Sequence, residues 1–226
     1  MPEITPSVTS PSPPAPGAPG GGKDGLRNYL AHVVEGGLFM GGIAFVAPES
    51  VLPRIVDTLG GPGWVIAMMP VALALGFVLP GVLVAHLVER LERTLPVVLA
   101  VGVIQRLPFL VAGLTLLLAG DRLPGLALAI VVAAPLLSGL AGGMTSPAWM
   151  ELIAKTLPPN RRASAMAIRM IIASMIGITS GGIIATVLHR WPGLPGFGIL
   201  HLVTFTFMVL SISVLAMVKE ESVHPG

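Results

Sequence analysis

The chain has 226 residues, of which 54% are hydrophobic and only 11% charged, with a mean hydropathy of +0.88. Soluble domains carry about 25% charged residues, and a single water-facing core cannot hide this much apolar side chain, so lipid must solvate part of it. The net charge of +2 gives no nucleic-acid signal, and the absence of cysteine excludes disulfides, thiolate metal sites and cysteine nucleophiles.

In chain order, residues 1–25 come first and differ from everything after them. Seven prolines sit among Ser, Ala and Gly, and the only charges are Glu3, Lys23 and Asp24. Such a segment buries too little apolar area to offset its ordering entropy and is expected to be a disordered cytoplasmic tail. It lacks the basic and apolar regions of a signal peptide.

A membrane-crossing helix needs about 20 apolar residues. Six stretches qualify, at 29–48, 64–88, 96–118, 125–147, 163–189 and 197–218. Breaker-rich loops separate several of them: Leu59-Gly60-Gly61-Pro62-Gly63, Gly120-Asp121-Arg122-Leu123-Pro124 and Trp191-Pro192-Gly193-Leu194-Pro195-Gly196. The expected architecture is therefore all-α: a polytopic six-helix domain over residues 26–220, followed by a short cytoplasmic tail at 221–226.

Orientation follows from lysine and arginine between the spans. One side holds Lys23, Arg27, Arg90, Arg93, Lys155, Arg161, Arg162 and Lys219; the other holds Arg54, Arg122 and Arg190. Eight against three predicts both termini in the cytoplasm and a multi-pass protein of the cell membrane. Trp64, Trp149 and Trp191 fall near expected interfaces, as an aromatic belt would place them.

Small residues recur four apart at Gly37/Gly41, at Gly139/Gly143 and along Ala173, Gly177, Gly181 and Ala185. In lipid that spacing lets helix backbones approach closely, and bundle packing is the simplest reading. Pro70, Pro80, Pro108 and Pro135 lie within spans and should kink or locally open them.

Glycines also repeat at one offset. Gly41, Gly42, Gly76 and Gly81 are each followed 101 residues later by Gly142, Gly143, Gly177 and Gly182. The offset divides the domain into repeats at about 27–120 and 125–220. Three spans per repeat force opposite orientations, which is the inverted three-plus-three arrangement known inside transporter halves.

Arg27-Asn28-Tyr29-Leu30-Ala31-His32-Val33-Val34-Glu35-Gly36-Gly37, followed by Phe45-Val46-Ala47-Pro48-Glu49-Ser50-Val51-Leu52-Pro53, resembles the first helix of a major facilitator superfamily permease. Ser146-Pro147-Ala148-Trp149-Met150-Glu151-Leu152-Ile153-Ala154-Lys155, then Pro158-Pro159-Asn160-Arg161-Arg162, resembles that family's loop between helices four and five. The resemblance covers about residues 27–220, the N-terminal six-helix half of a fold that normally has twelve helices. It implies solute transport by alternating access, with a second half supplied by a homodimer or by a partner.

One departure concerns the loop between helices two and three. The family usually places an Asp four residues after a Gly there, whereas Gly81 is followed by Ala85 and His86, then Glu89-Arg90-Leu91-Glu92-Arg93. Glu89, Arg90, Arg93, Arg161 and Arg162 are the candidate gating residues of the cytoplasmic loops, although Arg161 and Arg162 are most simply topology determinants.

Ionisable groups inside spans are costly, about 2.5–3.5 kcal/mol each at helix centre on insertion scales, and each needs a reason. Glu35 lies on the order of 12 Å deep and Arg106 roughly 15 Å from the same face, counting helical rise. A Glu35–Arg106 pair fits those depths; Arg169 is shallower and could also serve Glu35, and Gln105 beside Arg106 could add hydrogen bonds. These four residues either line a path for solute or protons, with Glu35 as proton carrier, or form a structural ion pair.

His32 and His201 lie near span ends and could titrate, and Glu151 with Lys155 makes an exposed i, i+4 pair. An intramembrane protease of the rhomboid type would need Gly-x-Ser-Gly, but Ile178 precedes Ser180-Gly181 and Leu136 precedes Ser138-Gly139. No phosphate loop, zinc-ligand spacing or dinucleotide fingerprint occurs, so neither enzyme nor cofactor is expected. The expected function is transport of a small solute; the alternative is a non-transporting, truncated or split membrane protein with the same ancestry, or an assembly partner retaining the fold.

Overall fold

The computed structural model describes residues 23–88 and 93–220. Glu89 and Arg90, nearly all of the expected N-terminal tail and the final six residues lie outside them. Among the described residues the chain is all helical. The helices are α1 (Lys23–Ile43), α2 (Val51–Thr58), α3 (Gly63–Val88), α4 (Leu95–Leu118), α5 (Pro124–Thr156), α6 (Pro159–Arg190) and α7 (Leu194–Leu215), with one 3-10 turn at Ala44–Val46. Five helical stretches are long and apolar enough to cross a membrane: Lys23–Thr58, Leu95–Leu118, Pro124–Thr156, Pro159–Arg190 and Leu194–Leu215. Gly63–Val78, the first part of α3, is a shorter apolar helix.

Proline chemistry sets two boundaries that differ from the sequence expectation. The first span was expected over 29–48, but α1 starts at Lys23 and stops at Ile43. Ala47 takes φ −44° and ψ 123°, the extended geometry that a following proline imposes, here Pro48. The fourth span was expected to end at 147, yet α5 runs to Thr156 through Pro135 and Pro147. The stretch Ala148–Lys155, expected in a loop, is helical because Leu152 and Ile153 bury completely or nearly so on its inner face. Helix ends only at Leu157, which Pro158 holds extended at φ −122° and ψ 133°.

At 33 residues α5 is roughly 50 Å long. That exceeds a hydrocarbon core of about 30 Å, so its Glu151 and Lys155 turn can stand beyond the apolar slab. Helix α2 was not expected. Its Val51, Leu52, Ile55 and Val56 are buried while Arg54 and Asp57 face out and pair at 3.0 Å. The i, i+1, i+4, i+5 apolar pattern makes it a small amphipathic cap.

Packing follows the series α3–α5–α4–α7–α1–α6, each helix lying most closely on its neighbours in that order. Small residues decide how close. At the α3–α5 crossing a Cβ on Gly139 or Gly143 would run into the backbone carbonyls of Leu73 or Phe77, and one on Gly76 into Leu136. At the α1–α6 crossing Gly37 and Gly41 receive Ile172 and Ile176. The α6 series behaves differently from the packing expected of it. Gly181 and Gly182 face open space, and Gly177 only nears Ala44.

The two ends of the bundle differ. At one end a single core cluster joins α2 to the first parts of α3 and α5, the second parts of α4 and α6, and most of α7, with Phe109, Leu116, Val131, Leu200 and Met208 fully buried or nearly so. At the other end lie two separate smaller clusters, one around Val98, Ala148, Leu152 and Leu215, the other around Val33, Ile153, Leu157 and Ala165. That second end gathers both ends of the described chain. The Asn28 side chain exchanges hydrogen bonds with the Lys219 backbone at 3.0 and 2.9 Å, and Lys219 pairs with Asp24 at 3.1 Å. Outward-facing Val78, Leu118, Met175 and Ile178 are 64–81% exposed. Such broad exposed apolar surface suits a helical, multi-pass membrane protein.

Candidate functional site

Between the two small clusters lies a cavity of about 330 Å³. It is lined by α1, α3, α4, α5, α6 and α7, and Glu35, Gln105, Arg106 and Arg169 all face it. The four polar residues singled out within the spans therefore share one space.

Glycine makes room for them. A Cβ on Gly36 would collide with the Arg169 guanidinium, one on Gly142 with Gln105 Nε2, and one on Gly102 would press on Arg106 Nη1 at 3.1 Å. Because Gly37 and Gly41 let α6 close on α1, Arg169 lies directly against the α1 backbone, and its Nη2 stands 3.8 Å from Glu35 Oε2. Trp149 of α5 supplies the other wall, with the Arg169 Cζ 4.6 Å from its ring centre.

Arg106 is held differently. Its Nε donates to the Met208 carbonyl at 2.7 Å, its Nη1 to the Gly102 carbonyl and its Nη2 to Ser211 Oγ at 3.3 Å. The Ser211 hydroxyl in turn donates to Glu35 Oε1 at 3.4 Å. Arg106 thus reaches Glu35 through Ser211, while the direct ion pair goes to Arg169. The Phe39 ring lies under Arg106, 5.3 Å from centroid to Cζ.

This cluster is incompletely satisfied. Glu35 Oε2 is buried and accepts no hydrogen bond. Among the described residues the Arg169 donors meet only Glu35 and, at 3.9 Å, Met166 Sδ. A buried ion pair repays its desolvation only with short geometry and further hydrogen bonds; here the charges stand 3.8 Å apart, Glu35 gains the long hydrogen bond from Ser211, and Arg169 gains none beyond its thioether contact.

No family model, characterised protein or solved structure matches the chain. The site therefore has to be read from its own geometry.

The other candidates sit elsewhere. Arg162 caps the end of α5, donating to the Leu157 and Ala154 carbonyls at 3.0 and 2.7 Å, and Arg161 lies over the Tyr29 ring at 5.9 Å. Both hold the α5–α6 turn. Arg93 is exposed at the start of α4, beside Leu95, Val218, Lys219 and Glu220. Glu89 and Arg90 fall outside the described residues, as does the side chain of His86.

Three readings change. Trp149 was expected at a membrane interface, but it lines the cavity, whereas Trp64 and Trp191 are exposed near helix ends. His32 and His201 are 1% and 0% exposed; His32 Nε2 pairs with Thr156 Oγ1 at 2.8 Å, and His201 Nδ1 with the Phe197 carbonyl at 2.9 Å. Lys155 reaches both Glu151 and Glu220, at 3.8 and 3.7 Å.

Ser211 and Phe39 escaped the sequence reading. A lone serine in an apolar helix has no distinguishing pattern until α7 is known to flank α1 and α4.

Glu220 forms a clasp at the end that gathers the chain ends. Its carboxylate accepts from the Thr94 and Leu95 amides and the Thr94 hydroxyl at 2.8–3.0 Å. Partial burial works against its ionisation. The backbone amides, the hydroxyl and the Lys155 charge together outweigh that and hold the carboxyl below the usual glutamate range.

Proposed function

We propose that this six-helix domain is one half of a major-facilitator-like transporter. It moves a small solute by alternating access and works with a second half, supplied by a second copy or by a separate chain. The observation that carries this reading is the incompletely paired Glu35–Arg169–Arg106 cluster in a cavity midway along the bundle, beyond which one end is filled by a continuous apolar core. A structural ion pair would have no need of the cavity. A solute path needs polar groups that remain open to a visitor.

The helix order supports the inverted repeat. Exchanging α1 with α5, α3 with α6 and α4 with α7 turns the series α3–α5–α4–α7–α1–α6 into its own reverse. Two of the glycine pairs follow the same exchange. Gly41 meets Ile176 of α6 where Gly142 meets Phe77 of α3; Gly76 meets α5 where Gly177 nears the end of α1. Gly42 and Gly143 depart from it, as does α2, which has no counterpart in the two-residue α5–α6 turn.

The open ends of the series support a second half. Helices α3 and α6 stand at its two extremes, and both carry exposed apolar side chains with the cavity between them. Six crossings place both ends of this domain on one side, and the lysine and arginine bias assigns that side to the cytoplasm. Two copies then share one orientation, as a two-fold dimer requires.

The test is the protein mass in mild detergent, by light scattering corrected for bound detergent. A value near twice 23.3 kDa, or co-purification of another six-helix chain, is expected. A clean monomer with no partner would refute the need for a second half and favour a non-transporting relative.

A further inference from the structure

We propose that the cavity binds a small monovalent organic anion, a carboxylate carried on a flat apolar body. This deepens the transport reading by naming the solute class, and it rests on that reading for the solute's fate but not for its binding.

The first argument is charge. Among the described lining residues two guanidiniums face one carboxylate, which leaves one positive charge in excess. The remaining polar lining, Gln105, Thr145 and Ser146, is uncharged. An unbalanced charge in an apolar space is far more costly than a paired one. One monovalent anion brings the sum to zero, whereas a dianion or a cation leaves it unbalanced.

The second argument is donor supply. Arg106 already gives hydrogen bonds to Met208, Gly102 and Ser211, so its role is to hold charge in place. Arg169 has donors without short partners, only the 3.8 Å approach to Glu35 and a weak thioether contact. A guanidinium offers a planar fork of donors that matches both oxygens of a carboxylate. Arg169 therefore receives the anion.

The third argument is shape. Trp149 stacks on Arg169, and Phe39, Phe77, Met166 and Met170 complete an apolar wall. Rings and thioethers of this kind suit a flat hydrocarbon body.

The experiment is equilibrium binding of radiolabelled benzoate to the purified full chain in detergent, with benzylammonium and benzyl alcohol as controls of similar shape. Saturable benzoate binding is expected, about tenfold or more tighter than either control, as one charge-assisted contact warrants. Arg169→Gln should weaken benzoate by about tenfold or more, and Arg169→Lys should fall between, since it keeps the charge but not the fork. Glu35→Gln should tighten benzoate, because it removes the one negative charge from the lining; its sign does not depend on a fragile variant. Circular dichroism and gel filtration establish that each variant is folded.

Preference for benzylammonium, weaker benzoate binding by folded Glu35→Gln, or no benzoate binding by folded wild type would each overturn the anion site. The two readings separate in proteoliposomes. Benzoate that binds but never accumulates sinks transport and leaves the site standing. Accumulation of benzylammonium sinks the anion site and leaves transport standing.

Discussion

The two ends of the bundle are built from the same six long helices and differ in what fills the space between them. At the sealed end α2, Phe109, Leu116, Leu200 and Met208 form one continuous apolar cluster. At the other end the core is split in two, and the gap holds two arginines and a glutamate. Close packing is continuous around the first cluster and interrupted where the polar side chains gather. The difference teaches where charge is placed: around the continuous core it stays on the surface, as in the Arg54–Asp57 pair of α2, and beside the split core it is buried.

The comparison can be broken most decisively at Glu35. Under the transport reading, Glu35→Gln should abolish proton-driven benzoate uptake into proteoliposomes while the protein still purifies as an assembled particle. Unchanged uptake would remove Glu35 from proton coupling and leave the open end a binding site alone.

Truncation of core side chains comes next in size. Phe109→Ala at the sealed end should lower stability by about 3–5 kcal/mol, the range for buried phenylalanine. Met166→Ala, beside the cavity, should cost about 1 kcal/mol or less, because its neighbours on one side are already missing. Thermal unfolding followed by circular dichroism in detergent reads both. Equal losses would mean that the two ends are packed alike.

A smaller effect belongs to the clasp. Glu220 has a folded pKa below its ordinary value, so its contribution is fully present above the usual glutamate range and is lost as pH falls through the folded pKa. Glu220→Gln should cost about 1–3 kcal/mol at neutral pH, as charged hydrogen bonds do, and should flatten the fall in melting temperature between neutral pH and acid. A variant melting curve that moves with pH as steeply as wild type would reassign that acid sensitivity to other groups.

The smallest effect is expected at the exposed glycines of α6. A Cβ on Gly181 meets open space, so Gly181→Ala should shift monomer stability by only about 0.5–1 kcal/mol, upward, because alanine outranks glycine within a helix. Gly143→Ala would push against the Phe77 carbonyl and should instead cost stability, by several times as much. A large penalty at Gly181 alone would reveal a partner covering α6.

Much of this architecture is legible along the chain because lipid imposes length and hydropathy on every crossing. The start and end of α4 fall within one residue of the sequence reading, and α3 does as well. Errors arose where local chemistry outran hydropathy. Pro147 reads as a stop, yet a helix already wound before it loses one hydrogen bond and continues, whereas Pro158 acts on the residue before it and ends α5.

The cavity was legible in part. Depth matched Glu35 with Arg106, while Gln105 entered as the neighbour of Arg106 and Arg169 as a shallower second partner. Depth favoured Arg106 as the partner of Glu35, yet Arg169 makes the ion pair, because adjacency decides it: α1 packs on α6 rather than α4. The roles of Trp149, Phe39 and Ser211 depend on that same adjacency. Nothing in the sequence marks Gly36 and Gly142 as making room for polar side chains; the structure shows Arg169 and Gln105 in the space a Cβ there would take.

The most direct test of one open and one sealed end uses the chain's lack of cysteine. Single cysteines at Ser146, in the cavity lining, and at Ala134, in the sealed core, would be exposed to a membrane-impermeant maleimide from each side of an oriented vesicle. The account predicts that Ser146→Cys is labelled from the side bearing the chain ends and not from the other in the absence of solute, and that Ala134→Cys is labelled from neither. A folded Ser146→Cys that reacts from neither side, or an Ala134→Cys that reacts readily, would contradict it.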